Sequence, residues 1–209
     1  MITAKNGTTV PVIGVTGPTG SGKGYVCKFL QDLGFAWIDT DKIAREITLP
    51  GSGILDTLAH EFGADILKPD GSLDRSLLAQ KSFSSRENQS RLNQITHPEI
   101  IRRSLKQAQN AADEGCTGVL LDAPLLFESG MDRECDEIVA VLAPADIRLK
   151  RILERDFLTP EQARSRMEIQ HTDDFYTARA NYIVRSYAPF EVGGELAEFM
   201  NKYNLTEEK

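Results

Sequence analysis

No stretch of this sequence approaches the roughly 18 consecutive apolar residues that can cross a bilayer, so no transmembrane helix and no membrane association are expected. Met1 to Thr9 also lack the apolar core and cleavage site of a signal peptide, which makes the cytoplasm the expected location. Cysteine is scarce. Cys27, Cys116 and Cys135 are an odd number at wide spacing, which argues against a disulfide framework and a zinc cluster and reads as ordinary reduced thiols. Positive charge is in deficit: 24 lysines and arginines stand against 31 aspartates and glutamates, a net charge of −7. That balance disfavours a protein whose main task is coating nucleic acid or an anionic surface. Repeats, low-complexity segments and a clear linker are missing too, and nothing points to an obligate protein partner.

What is present is a soluble globular composition, 41% hydrophobic and 26% charged over 209 residues. Against about 150 residues per domain, this length allows one large domain or a core carrying a sizeable insertion.

The pattern of elements favours the second. Val10 to Thr16 is a β-branched apolar run that ends in a glycine cluster, and Tyr25 to Leu33 then follows helical spacing. Phe35 to Asp39 reads as a second strand, with a helix from Asp41 to Ile47. Gly118 to Asp122 and Glu137 to Leu142 are buried-strand runs, and Tyr182 to Val184 is a weaker last strand. Strands alternating with helices predict a parallel sheet. The stretch from Pro50 to Glu114 carries only helical patterns, Ile54 to Phe62, Arg75 to Phe83, Glu87 to Ile95 and Ile100 to Ala112, and is the expected insertion. Thr96-His97-Pro98-Glu99 and Thr159-Pro160-Glu161-Gln162 both fit a capping box and predict helix starts.

Gly17-Pro18-Thr19-Gly20-Ser21-Gly22-Lys23 matches the G-x-x-x-x-G-K phosphate loop, in the strand-loop-helix context the motif requires. Glycines let backbone N–H groups turn onto the phosphates, the helix adds its positive end, and Lys23 reaches the β- and γ-phosphates. The next position normally carries Ser or Thr, whose hydroxyl binds Mg²⁺; here it is Gly24. Two readings follow: a working site in which water or a carboxylate replaces the hydroxyl, or a site that binds nucleotide without turning it over. Asp122, closing a strand, stands where a carboxylate could hold Mg²⁺, or could simply cap the strand end.

Asp39 and Asp41 follow the second strand at the edge where parallel sheets place ligands. A carboxylate there can accept the proton of an attacking hydroxyl, and Arg45, four residues on, would share its helix face; capping is the alternative for both aspartates. Residues 148 to 166 concentrate Arg148, Lys150, Arg151, Arg155, Arg164 and Arg166 within an acidic chain. Arg151 and Arg155 at i, i+4 suit phosphate oxygens, with a solvated charged helix as the alternative. His97 fits a capping, packing or ligand role equally, while His60 and His171 show no metal-like spacing.

Taken in order, these segments resemble the dephospho-CoA kinase family over nearly the whole chain. The resemblance rests on residues 13–17 running into Gly20-Ser21-Gly22-Lys23, Asp39-Thr40-Asp41 with Arg45, Phe62-Gly63, and Gly71 to Arg75. It continues through His97 to Ile100, Pro124 to Glu128, Arg151 with Arg155, and Arg166 with Gln170. It implies an α/β P-loop kinase fold, a parallel sheet flanked by helices, with a core at about 1–49, 115–145 and 180–209. A helical acceptor-binding region at about 50–114 and a lid at about 146–179 complete it. It further implies ATP as co-substrate with Mg²⁺, and phosphorylation of the ribose 3′-hydroxyl of dephospho-CoA. An inactive nucleotide-binding homologue and a kinase for another nucleotide-like acceptor are the alternatives. Carried over, Gly17, Gly20, Ser21, Gly22, Lys23, Gly24 and Tyr25 bind ATP, and Asp41 is the general base. Arg45 and His97 face dephospho-CoA, and Arg151 and Arg155 close on the phosphates. The chain departs from the family at Gly24, and at Asn181 and Arg185-Ser186, where the family commonly shows an Asp and later an Asn on the adenine side.

Overall fold

The computed structural model describes residues 1–205. Its contacts divide into two units, one of residues 1–38 with 108 onward and one of residues 39–107.

The first unit is built on strands β3 (Val12–Thr16), β4 (Phe35–Asp39), β5 (Gly118–Asp122), β6 (Glu137–Leu142) and β7 (Tyr182–Arg185). Their order in the sheet is β4-β5-β3-β6-β7, and the β3–β5, β3–β6 and β6–β7 pairings are all parallel. The chain therefore builds first to one side of β3 and then to the other. That reversal makes the carboxyl end of β3 the place where a doubly wound sheet receives its ligand. The central strands are apolar throughout because both faces are covered: every residue of β3 is buried. Ile13, Val15, Leu120 and Val139 pack with Val26 and Leu30 of helix α1 (Lys23–Asp32) into one core. Gly14 is needed beside them, since a Cβ there would lie 2.8 Å from Leu126 and 2.9 Å from Cys135. The expected run from Val10 is broken by Pro11. Val10 instead pairs with Ile2 in a small antiparallel hairpin of β1 (Ile2–Thr3) and β2 (Thr9–Val10).

The second unit holds α2 (Thr40–Glu46), α3 (Gly53–Phe62), α4 (Arg75–Ser82) and most of α5 (Arg86–Asp113). Asp39, Ser52 and Asp74 cap α2, α3 and α4 through their side chains. Leu55, Leu58, Phe62, Ile66, Leu73 and Leu78 form its core.

One expected helix start is corrected here. Residues 96–99 do not begin a helix, because α5 runs through them as a single element with Pro98 inside. Thr96 Oγ1 donates back to Leu92 O at 2.9 Å instead of capping, and Glu99 is occupied by Arg102 and Arg103. Pro98 removes the bond to the Gln94 carbonyl and crowds that oxygen, a cost of about 3 kcal/mol, yet the helix continues through it. The second box is genuine: Thr159 and Gln162 cap each other at the head of α7 (Pro160–Glu168), after α6 (Ala145–Asp156). Then come α8 (Asp173–Thr177), β7, α9 (Val192–Glu195) and α10 (Ala197–Lys202), whose Phe199 is fully buried against Phe35 and Tyr182.

Candidate active site

The phosphate loop leaves the carboxyl end of β3 and opens α1, as its spacing predicts. Two of its glycines are required by close approach. A Cβ on Gly17, at φ 136°, would collide with the backbone carbonyl of Val141. Gly22 caps α1 at φ 98°, and a Cβ there would strike Ser186 Oγ and lie 3.1 Å from Arg151 Nη1. Lys23 folds back, its Nζ donating to Gly17 O at 2.9 Å.

Beneath the loop lies a second tier. Arg148, buried on α6, donates from Nε to Thr19 O at 3.0 Å. Gln170 Oε1 accepts from Thr19 N at 2.9 Å and from Arg148 Nη2 at 3.1 Å, so both polar groups of the Thr19 peptide are held. Burial pulls the Arg148 guanidinium below the usual arginine range, partly offset by Asp173 and Tyr176. Arg151 donates from Nη1 to Gly20 O at 3.2 Å and Ser21 O at 3.1 Å, and from Nη2 to Ser186 O at 2.5 Å. Ser186 Oγ in turn donates to Ser21 O. Successive loop carbonyls are turned down onto guanidinium groups, and the positive end of α1, which favours an anion, opens directly from the loop. The buried hydroxyls of Thr16 and Ser21 have no hydrogen-bond partner among the described residues, a cost that a polar ligand or water would relieve.

The structure thus brings Arg151 to the loop's carbonyl side. Arg155 lies further along α6, exposed, in a two-pronged pair with Asp156 at 2.7 and 2.8 Å, which Arg166 also joins at 2.7 Å. Arg148, Gln170 and Ser186, none of them named as a site residue from the sequence, share the holding with Arg151. Arg148 carried a signal, standing three residues before Arg151 on the same helix.

A cleft of about 1100 Å³ opens from Gly22 and is lined by Tyr25, Phe29, Arg151 and residues 186–194. Arg185 stiffens its wall, pairing with Glu195 at 2.8 and 2.7 Å while its guanidinium lies 3.6 Å from the Phe190 ring centre. Asn181 serves the sheet: its Oδ1 accepts from Ile138 N at 2.8 Å.

Asp122 stands at the end of β5, level with Val15 of β3. Its Oδ2 accepts from Trp37 Nε1 at 3.2 Å. No group of three or more His, Cys, Asp or Glu residues able to hold a metal occurs among the described residues. A lone carboxylate beside a phosphate loop nevertheless suits Mg²⁺, which takes one or two carboxylates and completes its shell with substrate phosphates and water.

Within the helical unit, Asp41 is in the first turn of α2 and Arg45 in its last, both exposed. The capping alternative falls to Asp39, whose Oδ1 accepts from Lys42 N at 3.0 Å, so Asp41 is not the N-cap. Arg75 Nη2 donates to Arg45 O at 3.2 Å and Thr48 Oγ1 at 2.9 Å, over an apolar cavity of about 210 Å³ that also meets Leu58, Leu73 and Leu78. His97 is half-buried in the middle of α5.

Known proteins match this arrangement along almost its full length. A protein of Corynebacterium glutamicum called dephospho-CoA kinase is 42% identical over 179 residues, 86% of this chain and 90% of the relative. One from Moorella thermoacetica with the same name is 40% identical over 83% of this chain and 82% of its own. Among solved structures, a Thermus thermophilus protein superposes with a TM-score of 0.79 at 28% identity, covering 96% of this chain and 100% of that one. Dephospho-CoA kinase from Campylobacter jejuni gives 0.57 at 25% identity, covering 92% and 97%. The family model for dephospho-CoA kinase matches residues 11–189, from the strand before the phosphate loop to the cleft wall, and the chain belongs to that family.

Proposed function

We propose that this chain transfers the γ-phosphoryl group of ATP to the ribose 3′-hydroxyl of dephospho-CoA, giving coenzyme A in the last step of its biosynthesis. The observation that carries the reading is a phosphate loop, complete through Lys23, at the sheet's switch point within a family match over residues 11–189. The 3′-oxygen attacks the γ-phosphorus, the bond to the β,γ-bridging oxygen breaks, and the hydroxyl proton passes to the Asp41 carboxylate. Lys23 swings from Gly17 O onto the β- and γ-phosphates. The α1 N–H groups cradle them, and Tyr25 borders the nucleotide cleft. Arg151 and Arg155 offset charge on the transferring group, while Arg45 and His97 face the acceptor. Asp122 would hold Mg²⁺, whose charge would offset that developing on the β,γ-oxygens when bound. Catalysis is then mainly positioning and charge stabilisation, and the cytoplasm is the location that goes with it.

The test is ADP release coupled to dephospho-CoA addition. Asp41→Asn should lower kcat by about 100-fold or more with ADP affinity little changed; unchanged turnover would remove Asp41 as the base. Gly24 favours one other reading, a nucleotide binder without phosphotransfer. ATP binding with no acceptor-dependent ADP release at any Mg²⁺ concentration would select it.

A further inference from the structure

In phosphate-loop enzymes the hydroxyl residue after the loop lysine lies beside a strand carboxylate, and the two hold the metal together. Gly24 deletes the hydroxyl. Gly24 is exposed, and a Cβ built on it would sit 3.8 Å from Cη2 of Trp37, in ordinary van der Waals contact. The pyrrole side of the same indole donates Nε1–H to Asp122 Oδ2 at 3.2 Å. Trp37 on β4 and Asp122 on β5 are carried by neighbouring strands. One rigid side chain therefore reaches from the altered loop position to the carboxylate.

We propose that Trp37 is a positioning residue for the metal-holding carboxylate, doing through its indole N–H the orienting half of the missing hydroxyl's task. The reading rests on Asp122 as the Mg²⁺ residue of the proposed function. An indole N–H can only donate. It can fix how the Asp122 carboxylate is turned, but it cannot ligate a cation, so the ligating half of the hydroxyl's task passes to water. Such outer partners of a metal ligand typically alter affinity by about 10- to 100-fold when removed.

Trp37 is the only tryptophan of the chain, so tryptophan emission comes from this site alone. The experiment uses the full chain and ADP with MgCl₂, no acceptor being needed. ADP binding is titrated by calorimetry in EDTA and across a Mg²⁺ series. Trp37→Phe should raise the Mg²⁺ concentration that half-maximally tightens ADP binding by about tenfold, with affinity in EDTA changed less than about twofold. Adding Gly24→Ser to that variant should bring most of the requirement back, since a hydroxyl then faces Asp122. In the unaltered chain, Mg²⁺ added to the ADP complex should shift Trp37 emission, and Asp122→Asn should abolish the shift while ADP still binds in EDTA. An unchanged Mg²⁺ requirement in Trp37→Phe, or emission indifferent to Mg²⁺, overturns the proposal. The emission measurement decides alone if Trp37→Phe does not fold. Failure of phosphotransfer to dephospho-CoA would count against the proposed substrate and leave these binding results standing. Absence of any ADP binding would overturn both.

Discussion

Replacing Gln170, two residues past the end of α7, by alanine removes one amide and tests whether the phosphate loop is held from below. The perturbed contacts are Thr19 N to Gln170 Oε1 at 2.9 Å and Arg148 Nη2 to the same oxygen at 3.1 Å. Thr19 is 9% exposed and Arg148 8%, so both donors lose their acceptor in a place water enters poorly. An unsatisfied buried donor costs about 1–3 kcal/mol, more when charged, and some relaxation reduces the sum to about 2 kcal/mol. At 1.4 kcal/mol per decade that is a loss of up to about 30-fold in the loop conformation able to cradle phosphate. The ADP dissociation constant, measured by calorimetry without metal, should rise by about tenfold or more. Gln162→Ala, in the first turn of α7, supplies the contrast. It breaks the bond from Thr159 N at 2.9 Å and should cost about 1 kcal/mol of stability through the lost cap, with ADP affinity unmoved. If Gln170→Ala binds ADP within about twofold of the unaltered chain, the clamp contributes nothing to the cradle and the argument fails.

Two further outcomes follow from geometry and charge. Glu99 is held at a pKa of about 2 by hydrogen bonds from Arg102 and then Arg103, well below its ordinary 4.5. A depressed carboxylate stabilises the fold above its unfolded pKa and loses that contribution as pH falls through the folded one. Glu99→Gln should therefore be less stable by about 1 kcal/mol at pH 7, after screening of these exposed arginines, with the difference vanishing between pH 4.5 and 2. Paired thermal melts across that range test it, and parallel curves would refute it. Gly17→Ala places a methyl group against the Val141 carbonyl at a φ of 136°. ADP binding should fall beyond detection while far-ultraviolet circular dichroism stays that of the folded chain, because backbone on both sides has nowhere to move.

Strand positions were legible because buried parallel strands are written as continuous apolar runs: Gly118–Asp122 and Glu137–Leu142 fall where that pattern puts them, as does the less buried edge strand Phe35–Asp39. The phosphate loop was legible because its glycines are demanded locally. The misplaced helix start at Thr96 came from a signature that is only local, a hydroxyl, a proline and a glutamate, which a long helix can carry in its interior. Long-range hydrogen bonds left no trace of that kind. Gln170 meets Thr19 across 151 residues and Trp37 meets Asp122 across 85, and neither spacing has a periodicity to reveal it. Arg151 shows a different limit. Its charge and helical spacing were readable, yet nothing in them separates a guanidinium that meets substrate from one that first meets loop carbonyls at 3.1 and 3.2 Å.

The arginines under the loop have a consequence for ionic strength. Nucleotide attraction resting on exposed lysines and arginines collapses as salt rises, because a Debye length near 10 Å at 0.1 M screens charges that face solvent. Here Arg148 is nearly sealed beneath the phosphate cradle and Arg151 is half-covered beside it, inside a chain whose net charge is −7. Their positive potential reaches the cradle through protein rather than through electrolyte. Phosphate binding by this acidic molecule should accordingly weaken little between dilute buffer and physiological salt, the opposite of what its sequence-wide charge would suggest.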